Sequence, residues 1–85
     1  MPEISRFRGI VVRMYSCEHP PPHFHAQYAE YRVTVDIHSG VVEGRFPPRA
    51  LRLVLVWYRR HRFELLANWR LLAERKEPRR IPPLP

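Results

Sequence analysis

Eighty-five residues with 15 Lys and Arg against 8 Asp and Glu give a formal net charge of +7, on a chain long enough for one domain and too short for two. Apolar residues make up 45% of it, which supports an ordinary core and excludes a disordered polyelectrolyte. No apolar run nears the roughly 20 residues that span a bilayer, Met1-Pro2-Glu3 opens no signal peptide, and the lone Cys17 excludes an internal disulfide, so the expected setting is the cytoplasm.

Phe7 to Tyr15 is predicted as the first strand. Ile10, Val12 and Met14 alternate there with Val11, Arg13 and Tyr15, and Gly9 marks a bulge or a close backbone approach. Glu18-His19-Pro20-Pro21-Pro22-His23-Phe24-His25 follows and holds three of the five histidines. Its prolines fix φ and push the preceding residues extended, which predicts a stiff connector from His19 to Pro22. A second strand from His23 to Tyr28 then sends both imidazoles to one face and Phe24 to the other. Ala29-Glu30 is a two-residue break before a third strand, Tyr31 to Ile37. Ser39-Gly40 turns the chain into a short fourth strand at Val41-Val42-Glu43.

Phe46-Pro47-Pro48 changes the period. Proline is tolerated in a first helical turn, and Ala50, Leu53, Val54, Trp57 and His61 form one apolar stripe. The phase slips at His61-Arg62, after which Leu65, Leu66, Trp69, Leu72 and Ala73 form a second stripe. Two helices, or one sharply bent, are expected. Residues 78–85 hold four prolines and form an extended strap or a disordered tail. The expected fold is therefore α+β: a small antiparallel sheet of three to four strands followed by two amphipathic helices on one of its faces. Residues 1–77 make the domain and 78–85 its proline-rich tail.

Pro2-Glu3-Ile4-Ser5-Arg6-Phe7, the Gly9-to-Tyr15 run and Pro21-Pro22-His23-Phe24-His25-Ala26 resemble the small bacterial family called domain of unknown function 4160. Pro48-Arg49-Ala50-Leu51, Val56-Trp57, Glu64-Leu65-Leu66-Ala67-Asn68-Trp69 and Ile81-Pro82-Pro83-Leu84 extend the resemblance over nearly the whole chain. The triple proline and Arg62-Phe63 depart from the family's usual pattern, away from the His pair. The resemblance implies no established reaction. It implies that members are often encoded beside another small family, domain of unknown function 2442, in an arrangement similar to toxin–antitoxin pairs.

Charge is unevenly divided. Residues 1–44 carry four Arg and five acids, and residues 45–85 carry ten Arg and Lys76 against three acids, so the second half suits an acidic partner. Arg49, Arg52, Arg59, Arg60 and Arg62, with Arg79 and Arg80 on the tail, are candidates to neutralise the phosphates of RNA or DNA. Tyr15, Phe24, Tyr28 and Tyr31 are candidates to stack bases. The competing account is an ordinary solvated helix face and ordinary core packing.

His23, His25 and Arg13, with Tyr28 or Asp36 nearby, hold the residue types that move protons and stabilise a phosphorane. Alternatively Arg13 simply pairs with Glu30 or Asp36 on the surface, and Asp36 is a solubilising strand-end charge. His23 and His25, joined by His19 or Glu18, also offer three N/O ligands to a metal such as zinc, against the alternative of one buried, hydrogen-bonded imidazole and one exposed. No cofactor is expected. The leading expectation is a toxin–antitoxin-like component that binds or acts on nucleic acid. The alternative is a non-enzymatic module pairing with a small protein encoded nearby, and a metal-binding His site comes third.

Overall fold

In the computed structural model, which describes residues 2–85, five strands precede two helices: β1 (Glu3–Phe7), β2 (Ile10–Arg13), β3 (His23–Tyr28), β4 (Tyr31–Asp36), β5 (Val42–Arg45), α1 (Pro48–Arg60) and α2 (Arg62–Ala73). The strands form one antiparallel sheet in chain order. The α+β class is as expected, while the sheet has five strands and not three or four. The extra one comes from Arg8-Gly9, where φ values of 51° and 81° make a tight turn and leave Phe7 paired with Ile10. Successive positive φ values suit two-residue hairpins, yet an arginine there is uncommon, so Phe7 to Tyr15 reads as one strand in the sequence. Gly9 is thus a turn residue, and the bulge lies between Glu3 and Ser5.

The next hairpin turns at Ala29-Glu30, with Ala29 at φ 52° and Tyr28 paired with Tyr31. The last is organised by Asp36, whose Oδ1 accepts from the backbone N–H groups of His38 (2.8 Å) and Ser39 (2.9 Å). Those bonds, that of Ser39 foremost, hold the Asp36 carboxyl below the usual carboxylate range. Gly44 is needed for a different reason. A Cβ there would lie 2.4 Å from the Arg32 carbonyl oxygen and 3.1 Å from the Val33 Cα, at φ 112°. Gly44→Ala is expected to cost about 1–3 kcal/mol, read from the urea midpoint. A loss under about 0.5 kcal/mol would show that β5 shifts freely against β4.

One sheet face is the core wall. Phe7, Ile10, Val12, Met14, Phe24, Ala26, Val33, Val35 and Ile37 are buried there under Ala50, Val54, Trp57 and Tyr58 of α1 and Leu65 and Leu72 of α2. The two helices meet at His61, whose N–H closes the last turn of α1 onto Trp57 and Tyr58. Tyr58 donates from its buried hydroxyl to the Ile37 carbonyl at 2.6 Å, locking α1 to the end of β4.

The segment after α2 is the extended strap, not a disordered tail. Ile81 and Leu84 are buried in the same core as the helices. The Ile81 N–H donates to the Ile4 carbonyl at 2.8 Å, Trp57 Nε1–H donates to the Pro82 carbonyl at 2.9 Å, and the Asn68 side chain holds both backbone groups of Arg79. Prolines suit such a segment, because it bonds through carbonyls and a few N–H groups and needs no ladder. Glu3 adds an ion pair to Arg80 beside its pair with Arg6, and the Arg6 hydrogen bond foremost lowers its carboxyl to about 2.

Candidate functional site

Side chains of β3 alternate as expected. Phe24 is fully buried, and His23 and His25 stand on the other side, partly exposed. The connector before β3 brings Glu18 back over the strand, so that its Oε1 lies 3.1 Å from His23 Nε2 and 2.5 Å from His25 Nε2. Burial alone would raise the Glu18 carboxyl, but the bonds from His25 and His23 outweigh it and hold it below its ordinary value. On the other nitrogen of His23, Nδ1 is 2.8 Å from the Pro21 carbonyl oxygen. The ring's orientation is therefore set from both ends, by a proline carbonyl and a carboxylate.

Aromatic rings close the cluster. Tyr15 stands edge-on to His25 with centroids 4.9 Å apart, Trp69 of α2 lies 5.3 Å from His23, and the two imidazoles are 5.3 Å from one another. Tyr15, Glu18 and Trp69 also line one cleft.

Several candidates fall elsewhere. Arg13 is the register partner of His25 on β2, but its Nη1 donates to Gln27 Oε1 at 2.7 Å. It borders the cluster without a carboxylate partner in Glu30 or Asp36. Asp36 faces His23 in register, with one oxygen committed to its own turn. Tyr28 pairs with Ile10 and Tyr31 at the far end of β3. His19 is exposed and lines a groove with Pro20, Thr34 and Glu43 that His23 also borders, but it does not join Glu18, His23 and His25 where their ligand atoms converge. Of the aromatics proposed for stacking, Phe24 is core, whereas Tyr28 and Tyr31 are exposed.

Glu18 is legible in the sequence only as one of two options, and no pattern there brings Trp69 to the site. Tyr15 shares the in-phase positions of Arg13 on the preceding strand, so alternation contained the signal that it would border His25. Nothing in the spacing placed α2 beside β3.

The arginines divide as well. Arg52 and Arg59 are exposed on the side of α1 opposite Ala50, Val54 and Trp57, and Arg49 and Arg60 are exposed on one flank beside them, as 3.6 residues per turn requires. Among the described residues none of the four has an ion-pair partner, and α1 contains no acidic residue. Arg62 belongs to a different arrangement. Its guanidinium donates to the carbonyls of Ile37 (3.0 Å) and His38 (2.9 Å) and so ties α2 to the end of β4. Arg52 and Arg59 look away from the sheet, Arg49 lines a groove with Arg8 and Tyr28 at the end of β3 remote from the imidazoles, and the His pair lies on the face of β3 opposite Phe24, which packs on α1. The sheet thus stands between α1 and the two imidazoles, and the two regions are separate surfaces.

No helix among the described residues is long and apolar enough to cross a membrane. A family model described as domain of unknown function (DUF4160) matches residues 9–70. No curated protein matches the chain, and no solved structure matches it.

Proposed function

We propose that this chain, which belongs to the DUF4160 family, binds nucleic acid through the outer face of α1. The observation that carries the reading is a 13-residue helix with four exposed arginines and no acid. A merely solvated helix face usually interleaves both signs, since i,i+4 pairs of opposite charge stabilise it. Arg59 and Arg60 do suit the negative end of the helix dipole. Arg49 opposes the positive end, and no Asp or Glu offsets it in the first turn. Helix stability therefore does not explain Arg49, whereas a phosphate contact does.

The His cluster lies on the opposite face, so this reading is one of binding and asks no chemistry of His23, His25 or Arg13. Labelled single-stranded RNA and duplex DNA titrated at rising salt test it. Four phosphate contacts predict a log–log slope of roughly −3, which is a loss of about 60-fold in affinity between about 50 and 200 mM salt. Arg52→Glu with Arg59→Glu should bring the slope to about half and weaken low-salt binding by at least about tenfold. A salt-independent affinity, or an unchanged double variant, would sink the assignment. A toxin–antitoxin role adds one expectation: the chain expressed alone arrests bacterial growth and the double variant does not. Normal growth with intact RNA would instead favour a module that pairs with another small protein.

A further inference from the structure

We propose that Glu18, His23 and His25 form a binding site for one divalent transition-metal ion of the zinc type, with a coordination position left open to solvent. Their ligand atoms all lie within 4.8 Å of one another. His19, the other histidine of the connector, is exposed and lies outside this set of convergent ligand atoms.

The second nitrogen of His23 orients the ring as a metal ligand requires. The Pro21 carbonyl can only accept, so Nδ1 carries a hydrogen and donates to it at 2.8 Å. In the neutral ring that leaves a lone pair on Nε2, aimed at a carboxylate oxygen 3.1 Å away. Two acceptors facing at that distance require something positive between them. A proton can serve, and so can a metal ion, which three convergent ligand atoms favour. Backbone carbonyls that take the far N–H of a ligating histidine are the usual outer support of a metal site, because they set the tautomer and the ring plane.

Both edges from Glu18 are near what an ion needs, and the third, between the two imidazole nitrogens, is no longer than 4.8 Å and closes as the rings turn toward the ion. Zinc–ligand bonds of about 2.0–2.1 Å in a tetrahedron separate neighbouring ligand atoms by roughly 3.3 Å. His23 Nε2 and Glu18 Oε1 are already at 3.1 Å. His25 Nε2, at 2.5 Å from the same oxygen, has to open by under about 1 Å, and its side chain is one-third exposed. Two imidazoles and one carboxylate suit zinc and its divalent neighbours better than calcium or magnesium, which take oxygen sets. Three protein ligands leave the fourth position for water, the pattern of catalytic and not of structural zinc. His25 and Glu18, each about one-third exposed, put that position at the surface, with Tyr15 beside it.

The test uses the full chain, without an affinity tag that contains histidine, freed of metal by chelation and titrated with Co2+ and then Zn2+. One equivalent of Co2+ should produce the visible absorption of a four-coordinate site, and Zn2+ should bleach it. Glu18→Gln, nearly isosteric, should weaken Zn2+ binding by 10-fold or more, and His25→Ala should abolish the Co2+ band. His19→Ala should change neither, and circular dichroism confirms that each variant is folded. No cobalt band and no zinc binding below millimolar concentration would overturn the site. One equivalent still bound by the folded His23→Ala, His25→Ala double variant would overturn it equally. Neither outcome touches nucleic-acid binding, which rests on α1.

Discussion

Trp57→Ala is expected to lower the unfolding free energy by about 3–5 kcal/mol, against the roughly 4–13 kcal/mol that a chain of this length holds at ordinary stability per residue. Trp57 is fully buried and joins four parts of the fold. From α1 it meets Phe7 of β1 with ring centroids 5.6 Å apart, Phe24 of β3 edge-on at 5.7 Å, and His61 at the helix junction at 5.5 Å. Its indole N–H holds the strap at Pro82. Removing the ring opens a cavity bounded by sheet, helices and strap at once, which one element cannot collapse to fill. Trp57→Phe separates the two roles. It keeps most of the packing but strands the Pro82 carbonyl, and should cost about 1–2 kcal/mol for the bond and the smaller ring. Urea unfolding followed by circular dichroism gives both numbers. A Trp57→Ala loss under about 1 kcal/mol would mean that the strap and sheet do not depend on this ring.

Asn68→Ala should release the strap at a cost of about 2–3 kcal/mol, because two backbone groups lose their partner in one step. The Asn68 amide is 2% exposed. Its Nδ2 donates to the Arg79 carbonyl at 2.9 Å, and its Oδ1 accepts from the Arg79 N–H at 2.8 Å. No other residue type of this size offers one donor and one acceptor in that geometry. Asn68→Asp keeps the acceptor but turns a second oxygen toward the Arg79 carbonyl, so it should be no better than alanine. Amide exchange at Ile81 is the local readout, since its N–H reaches Ile4 only while the strap is seated. If Ile81 stays protected in Asn68→Ala, the burial of Ile81 and Leu84 holds the strap without the amide.

The positions that alternation or helical period controls were legible. His23 and His25 share a face because a strand repeats every two residues, and Phe24 is buried between them for the same reason. Ala50, Val54 and Trp57 face inward, and Leu65 and Leu72 do so on α2, because the stripes follow 3.6 residues per turn. Asn68 sits on that second stripe, yet as a polar residue it gives no apolar signal. Its burial became visible only with Arg79 beside it. Arg62 reads as one more basic residue of a basic half, and only the return of α2 to the end of β4 shows that it serves two carbonyls.

By itself the sequence determined the α+β class, the two helical stripes and the slip between them at His61-Arg62, the placing of the two imidazoles on one face, and the concentration of arginine after residue 44. These are local properties, set by backbone period and by the φ restrictions of proline and glycine, and they survive without knowledge of what lies nearby. Tertiary structure decided the fifth strand, the division into two helices at His61, the seating of the strap, the arrival of Glu18 and Trp69 at the His pair, and the separation of that cluster from the α1 arginines. Each of those depends on where a connector or a layer ends in space. A carboxylate five residues before an imidazole can meet it or miss it by the width of the domain, and only the path of the backbone between them settles which.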